Sequence, residues 1–263
     1  MKRLAILALA SALPLAGRAE GKTELTWYGH AAFVLKTPKG TVLAIDPWLS
    51  NPSAKDKEAA AKLEKVDFIL VTHAHFDHTG DAIAIAKRTG AKLVAGFDLS
   101  KALVGAGYPA EQATMMTNGN IGGTFPLTDE VSVTIVSAVH SSGLAKEGEP
   151  LHYGGNPTGF LIHVKGGPTV YHTGDTDVTS DMKLVGDRWH IDYMLACIGG
   201  HFTMDPIGAA TAAQLTRAKV VIPIHFGTFP LLKGTPAELE KAIKAKKLKT
   251  RVVTMQVGET RAL

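Results

Sequence analysis

Residues 66–89 read VDFILVTHAHFDHTGDAIAIAKRT, and no other stretch restricts the fold so tightly. Residues 66–72 are almost continuously apolar, the pattern of a strand covered on both faces, so the chain must place a packed layer on each side of the sheet that holds it. The stretch from about 80 to 89 has helical spacing. Between them lie His73, His75 and His78 with Asp77, four coordinating side chains within six residues. The cluster thus occupies a strand-to-helix loop, where side chains are presented at the edge of a rigid sheet. While the chain is extended, side chains two apart point the same way, so His73 and His75 can reach one ion together. After the turn, Asp77 and His78 can face a second ion nearby. Imidazole with carboxylate suits zinc, iron or manganese, whereas magnesium or calcium would call for more oxygen.

The rest of the chain alternates short β-type runs with helical stretches. Strands are expected at 24–28, 31–36, 41–45, 66–72, 91–95, 131–138, 159–164, 168–172, 191–196, 219–224 and 251–257. Helices are expected at about 55–64, 80–89, 98–105, 206–217 and 236–247. Asp205-Pro206 places a capping residue before a proline at the first helical position, and Thr235-Pro236-Ala237-Glu238 spells a capping box. Residues 118–124 and 141–158 are loops rich in Gly, Pro and Ser. Strand-rich halves with helices at intervals give an α/β (α+β) fold, two sheets face to face with helices outside.

Two ions need more donors than one loop supplies. His140, Asp175 and His225 each end or closely follow an apolar β-type run (VSVTIVSAVH, TVYHTGD, VVIPIH), and strand ends converge at one sheet edge. Each alone is equally readable as a hydrogen-bonded structural residue; together with the loop cluster they become candidate ligands.

THAHFDH resembles the H-x-H-x-D-H signature of the metallo-β-lactamase-fold hydrolases. The resemblance runs from about residue 24 to the end of the chain. GHAAFVL, NIGG, AVHSS, YHTGDT, IGGHFTM and IPIHFGTFP are further similar to a subgroup of metal-dependent hydrolases related to the ascorbate-phosphate lactonases and N-acylethanolamine phospholipases. The resemblance implies a four-layer αββα sandwich. It implies that His73, His75 and His140 bind a first ion, that Asp77, His78 and His225 bind a second, and that Asp175 bridges them. Asp46, in Ile45-Asp46-Pro47, would orient the histidine loop through hydrogen bonds. In the common zinc β-lactamases a cysteine stands where Asp175 stands here, so penicillin-type hydrolysis is not expected.

The implied cofactor is a pair of divalent ions, zinc first, with Mn2+ or Fe2+ as alternatives. The expected chemistry is attack by a hydroxide bridging the two ions on an ester, lactone or phosphodiester, with Asp77 holding or accepting a proton. His201, in GGHFTM just ahead of the helix capped at Asp205, is the expected catalytic residue outside the metal set, as a proton or hydrogen-bond donor. His30 and His172 are expected either to support ligands from behind or to line the pocket, and Trp48 to stand at its mouth. His152, His163 and His190 read as ordinary surface or strand residues. Two competing functions remain: thiol oxidation on a single iron in the same fold, and metal binding without catalysis.

Met1-Lys2-Arg3, the apolar residues 4–16 and the small residues at 17 and 19 have the anatomy of a signal peptide cleaved after Ala19, which leaves 20–263 as one hydrolase domain outside the cytoplasm, in the periplasm. Thirteen apolar residues fall short of the ~20 that span a bilayer, so no stable membrane anchor is expected. Cleavage would remove three of the 28 basic residues, leaving 25 against 24 acids, so charge makes no case for nucleic acid. The expected partner is a small-molecule substrate. Cys197 is the single cysteine, in an apolar run, and excludes an intramolecular disulfide.

Overall fold

In the computed structural model, which describes residues 21–145, 148 and 150–263, the apolar runs form two large sheets. The expected leader, 1–19, lies outside the described residues. The first sheet has the order Thr260–Ala262, Glu24–Trp27, Phe33–Lys36, Val42–Ile45, Phe68–Leu70 and Lys92–Val94. Its first three pairings are antiparallel and the last two parallel. The second runs Arg251–Val252, Val220–Ile224, Tyr193–Cys197, Thr169–His172, Thr158–Val164, Val131–Ser137 and Thr124–Pro126. Here the first three pairings are parallel and the rest antiparallel.

Alternation along each strand sorts side chains between two cores. Phe33, Leu35, Leu43, Ile45, Phe68 and Leu70 face the second sheet and share a core with Val133, Ile135, Phe160, Ile162 and Leu195. Their neighbours Val34, Ala44, Ile69 and Val71 turn outward, onto Ala82, Ile85 and Ala86 of helix Ala82–Thr89 and Leu99 and Leu103 of helix Phe97–Gly105. On the far side, helices Pro206–Thr216 and Pro236–Ala245 bring Ala209, Ala213, Leu239 and Ile243 to the second sheet. Helices therefore cover both outer faces, the expected αββα order. The Asp205 carboxylate accepts from the Gly208 N–H at 2.7 Å, and Thr235 and Glu238 complete the capping box.

Several boundaries differ from expectation. The run 66–72 keeps ladder pairing only over Phe68–Leu70, because its last residues already turn into the histidine loop. The 55–64 stretch yields only Ala59–Lys62, with no side-chain cap to start it earlier. The helix expected at 80–89 begins at Ala82, and a separate short helix, Phe76–Thr79, precedes it within the histidine loop. The apolar run 251–257 pairs only over Arg251–Val252. It then crosses to the first sheet, where Gly258 N–H donates to the Trp27 carbonyl at 2.7 Å and Thr260–Ala262 adds an edge strand. Helix Asp181–Arg188, strand Thr124–Pro126 and the small hairpin Gly143–Leu144/His152–Tyr153 had no clear sequence signal.

Candidate metal centre

One edge of the sandwich gathers the chemistry. In the first sheet, Phe33 pairs with Ile45 and Ile45 with Leu70, so the turn holding His30, the residue Asp46 and the loop 73–78 all leave the same rim. In the second, Ser137 pairs with Thr158, His172 with Leu195 and Cys197 with Ile224, which places His140, Asp175 and His225 opposite. Hydrogen bonds stitch the two rims. The Thr72 carbonyl accepts from Thr158 N–H at 3.0 Å, the His30 carbonyl accepts from His225 N–H at 3.0 Å, and the Ala31 carbonyl accepts from His172 Nε2 at 3.0 Å. His172 Nδ1 in turn accepts from Gly174 N–H at 3.1 Å, so this fully buried ring is a tie between sheets rather than a pocket wall. At Gly174, with φ +61°, a Cβ would meet the Thr158 carbonyl at 2.5 Å; only glycine lets the strand end turn and seat Asp175 between the sheets.

The seven expected ligands meet. Donor atoms of His73, His75 and His140 lie within 4.8 Å of one another, as do those of His73, His78 and Asp175, and those of His30, Asp77, His78 and His225. Asp175 stands between the groups: one oxygen is 2.9 Å from His225 Nε2 and 3.6 Å from His140 Nε2, and the other is 3.3 Å from His78 Nε2. His78 Nε2, Asp175 Oδ1 and His225 Nε2 are buried without hydrogen-bond partners. Buried polar atoms of that kind, aimed at common points and made of imidazole and carboxylate, fit divalent metal ions.

The surroundings fix which ring nitrogen is free. Asp46 accepts from Thr72 N–H at 2.8 Å, from the Thr72 hydroxyl at 2.7 Å and from His78 Nδ1 at 2.8 Å. The Thr72 hydroxyl, its proton given to Asp46, accepts from His73 Nδ1 at 3.0 Å. Nδ1 of His73 and of His78 is thereby engaged, which leaves Nε2 of each turned inward as the atom that would meet an ion. His75 uses the opposite nitrogen, with Nδ1 turned to His73 and Nε2 3.3 Å from the Ser141 hydroxyl.

Electrostatics in the protein without ions follow from burial and pairing. Burial pushes the Asp77 carboxyl up, but the His225 ring 3.6 Å away and the hydrogen bond from His30 reverse this and hold it below the carboxylate range. For Asp175, burial is likewise outweighed by the charges of His225 and His78, and it is held well below that range. Burial presses His225 down while the Asp175 charge lifts it to about 9. His73, His75 and His140 are lowered, chiefly by burial. Backbone strain concentrates at this rim too: His30, Asp46, His201 and His225 are non-glycine residues at φ between +42° and +57°.

His30 takes the first of its two expected places, directly behind a ligand candidate. Its Nε2 donates to Asp77 Oδ2 at 3.0 Å and its Nδ1 accepts from the Thr228 hydroxyl at 3.0 Å. Burial first of all lowers the ring to about 4, so it is neutral, a donor to Asp77. Thr72, Ser141 and Thr228 were not singled out by sequence, since their roles depend on partners that only folding supplies. His201 joins none of the ligand groups among the described residues. It is exposed on the loop before helix Pro206–Thr216, which bonds back through Met204 N–H to the Thr176 carbonyl beside Asp175. Trp48 is half-buried at the rim, against His30 at 5.5 Å between ring centroids.

A two-sheet sandwich covered by helices, with histidines and aspartates of both sheets meeting at one rim, defines the metallo-β-lactamase fold. The model of the Beta-lactamase superfamily domain matches residues 24–225. Within that superfamily the chain belongs to the UPF0173 metal-dependent hydrolases. It is 62% identical over 237 residues to a UPF0173 metal-dependent hydrolase of Anaeromyxobacter dehalogenans, covering 90% of this chain and 85% of the relative. A second, from Thermodesulfovibrio yellowstonii, is 53% identical over 265 residues, covering 99% and 98%. Among solved structures, a metallo hydrolase from the archaeon Ignicoccus hospitalis superposes with a TM-score of 0.79 at 34% identity, over 92% of this chain and 98% of that one.

Proposed function

We propose that this chain hydrolyses an ester, lactone or phosphodiester of a small molecule at a centre of two divalent ions. His73, His75 and His140 would hold one ion, Asp77, His78 and His225 the other, with Asp175 between them. The observation that carries this reading is the position of Asp175, whose two oxygens face ligand candidates of both groups from 2.9 to 3.6 Å. What the ions supply when bound is a water acidic enough to lose a proton near neutral pH and positive charge facing the substrate oxygen. Two dications against the two carboxylates Asp77 and Asp175 leave an excess of positive charge, which favours an oxygen that gains negative charge as its bond breaks.

The chain's own groups set the rest. Asp77, kept ionised by His225 and His30, is an acceptor that orients a water O–H; a carboxyl held so low does not retain the proton. His30 keeps that carboxylate in place. His201, exposed at the rim, would donate to the leaving group. The composition of residues 1–19 supports action outside the cytoplasm, tested by fractionating cells that produce the full chain. Among the described residues no helix is long and apolar enough to cross a membrane.

The test is to assay Asp77→Asn, His225→Ala and His201→Ala on generic lactone and phosphodiester substrates, with metal content measured on the same samples. The first two should lose roughly 10²-fold or more in kcat/KM. His201→Ala should lose activity with metal content intact. Wild-type rates in Asp77→Asn and His225→Ala with normal metal content would remove this centre as the catalyst. One iron per chain with oxygen uptake would replace hydrolysis by thiol oxidation.

A further inference from the structure

Phe76 sits between two ligand candidates, His75 and Asp77, yet it is 64% exposed. Nothing in forming the turn Phe76–Thr79 requires a large apolar side chain there, and leaving one in water forgoes the gain of burying it. It is not isolated. Its ring centroid lies 5.5 Å from Trp48 and 6.5 Å from Phe229, and Trp48 stacks on Phe229 at 5.9 Å with 25° between planes. Three separate segments thus deliver three rings to one side of the centre. The wall is continuous with the metal donors, because Trp48 and Phe229 also flank His30, at 5.5 and 5.7 Å, and His30 holds Asp77.

The wall is also built rather than incidental. At Gly80 a Cβ would fall 2.3 Å from Trp48 Cδ1, so the indole lies directly on the backbone of the turn after Phe76–Thr79, which only glycine leaves bare. A solvated tryptophan would not need that seat.

We infer that Trp48, Phe76 and Phe229 form a binding wall for an apolar acyl or aryl group carried by the substrate, so that the preferred substrates pair an apolar body with the hydrolysable oxygen bond. The identity of the occupant follows from position. A protein covering these rings would also lie over Phe76, between two ligand candidates, and obstruct the centre, whereas a substrate placed with its reacting oxygen between the metal donors can rest its remaining part on the wall. Aromatic faces accept alkyl chains and rings alike, with offset or edge contacts. The inference takes the word substrate from the hydrolase reading, but binding to the wall stands or falls separately.

The experiment uses the metal-loaded protein and straight-chain carboxylates from acetate to octanoate as product-like probes, with dissociation constants from calorimetry and tryptophan emission followed in parallel. The wall predicts that affinity tightens about two- to fourfold per methylene from butyrate onward, the upper figure being full burial of each. It also predicts that the emission change disappears in Trp48→Phe while Trp27 and Trp189 remain. Phe76→Ala and, from a distant segment, Phe229→Ala should each reduce the slope to below about 1.5-fold per methylene, with metal content checked on both. Chain-length-independent affinity in the wild type, or an unchanged slope in both variants, overturns the inference. A protein that shows the slope but hydrolyses no ester, lactone or phosphodiester confirms the wall and sinks the proposed choice of bond; turnover of one of them without the slope does the opposite.

Discussion

At Asp46 one buried carboxylate receives the Thr72 backbone N–H, the Thr72 hydroxyl and His78 Nδ1, all within 2.8 Å, from a backbone held at φ +42°. It chooses the tautomer of His78 directly and that of His73 through Thr72. Asp46→Ala should therefore weaken metal binding about 10- to 100-fold, read by competition with a chromophoric chelator, without removing any ligand candidate. Unchanged affinity would show that the two rings need no such anchor. Cys197 offers a second test at this scale. Burial first of all, with the Asp175 charge, lifts its thiol from 9.0 to about 11. Because the folded protein keeps this proton longer than the unfolded chain, the stabilisation is complete below about pH 9 and is lost as pH rises towards 11, at about 1.4 kcal/mol per unit. Urea titrations of wild type and Cys197→Ala at pH 7, 9 and 10 isolate it: the difference between the two proteins should shrink across that window. The side chains of this scale were partly legible beforehand. His73, His75, Asp77 and His78 announce themselves by crowding, and His140, Asp175 and His225 by ending apolar runs. The grip of His30 on Asp77 did not, because it is set by Thr228, 198 residues further along.

Helix Pro236–Ala245 begins with a reciprocal cap in which Glu238 N–H donates to Thr235 and Thr235 N–H donates back to Glu238 at 2.9 Å. Thr235→Ala should cost about 1 kcal/mol, visible in calorimetry as a fall of roughly 2–4 °C in Tm for a domain of this size. Metal content should not change, since the cap lies outside every ligand group; a loss of metal would mean that this helix helps hold the loop after His225. Elements with such local instructions were readable: both proline-started helices, and the continuously apolar strands. Helix Asp181–Arg188 was not, because Gly186 interrupts it and Ser180 supplies no side-chain cap, so only burial of Met182 and Val185 marks it. Residues 251–257 failed for the opposite reason. Val252, Val253, Met255 and Val257 are apolar because they line the core while the chain crosses between sheets, and apolar spacing reports burial without naming a partner strand.

For the whole molecule, the question is whether ions or the core hold the sheets together. Phe33, Leu43, Phe160, Tyr171 and Leu195 are fully buried in one cluster that spans both sheets, and three hydrogen bonds tie the rims without any ion. Dialysis against a chelator should therefore leave the far-UV circular dichroism intact while lowering Tm by roughly 10 °C, the size expected for losing a ligand present at about a thousand times its Kd. Adding zinc back should restore Tm. Loss of secondary structure on chelation would show instead that the core is insufficient alone. The layered architecture was legible because strands covered on both faces demand it. The order of strands was not, since pairing is decided between segments far apart in sequence.

The division of the donors between two sheets has a consequence for how the chain acquires its ions. Residues 73–78 can gather around a cation as soon as that loop exists, but Asp175, His140 and His225 arrive only when the second sheet docks. A half-assembled chain offers a weak, open chelate, and a finished one offers a site with donors from both sheets that holds an ion more tightly. Tight metal retention is thus a proofreading signal for sheet docking, and a chain that misassembles is left empty as well as inactive.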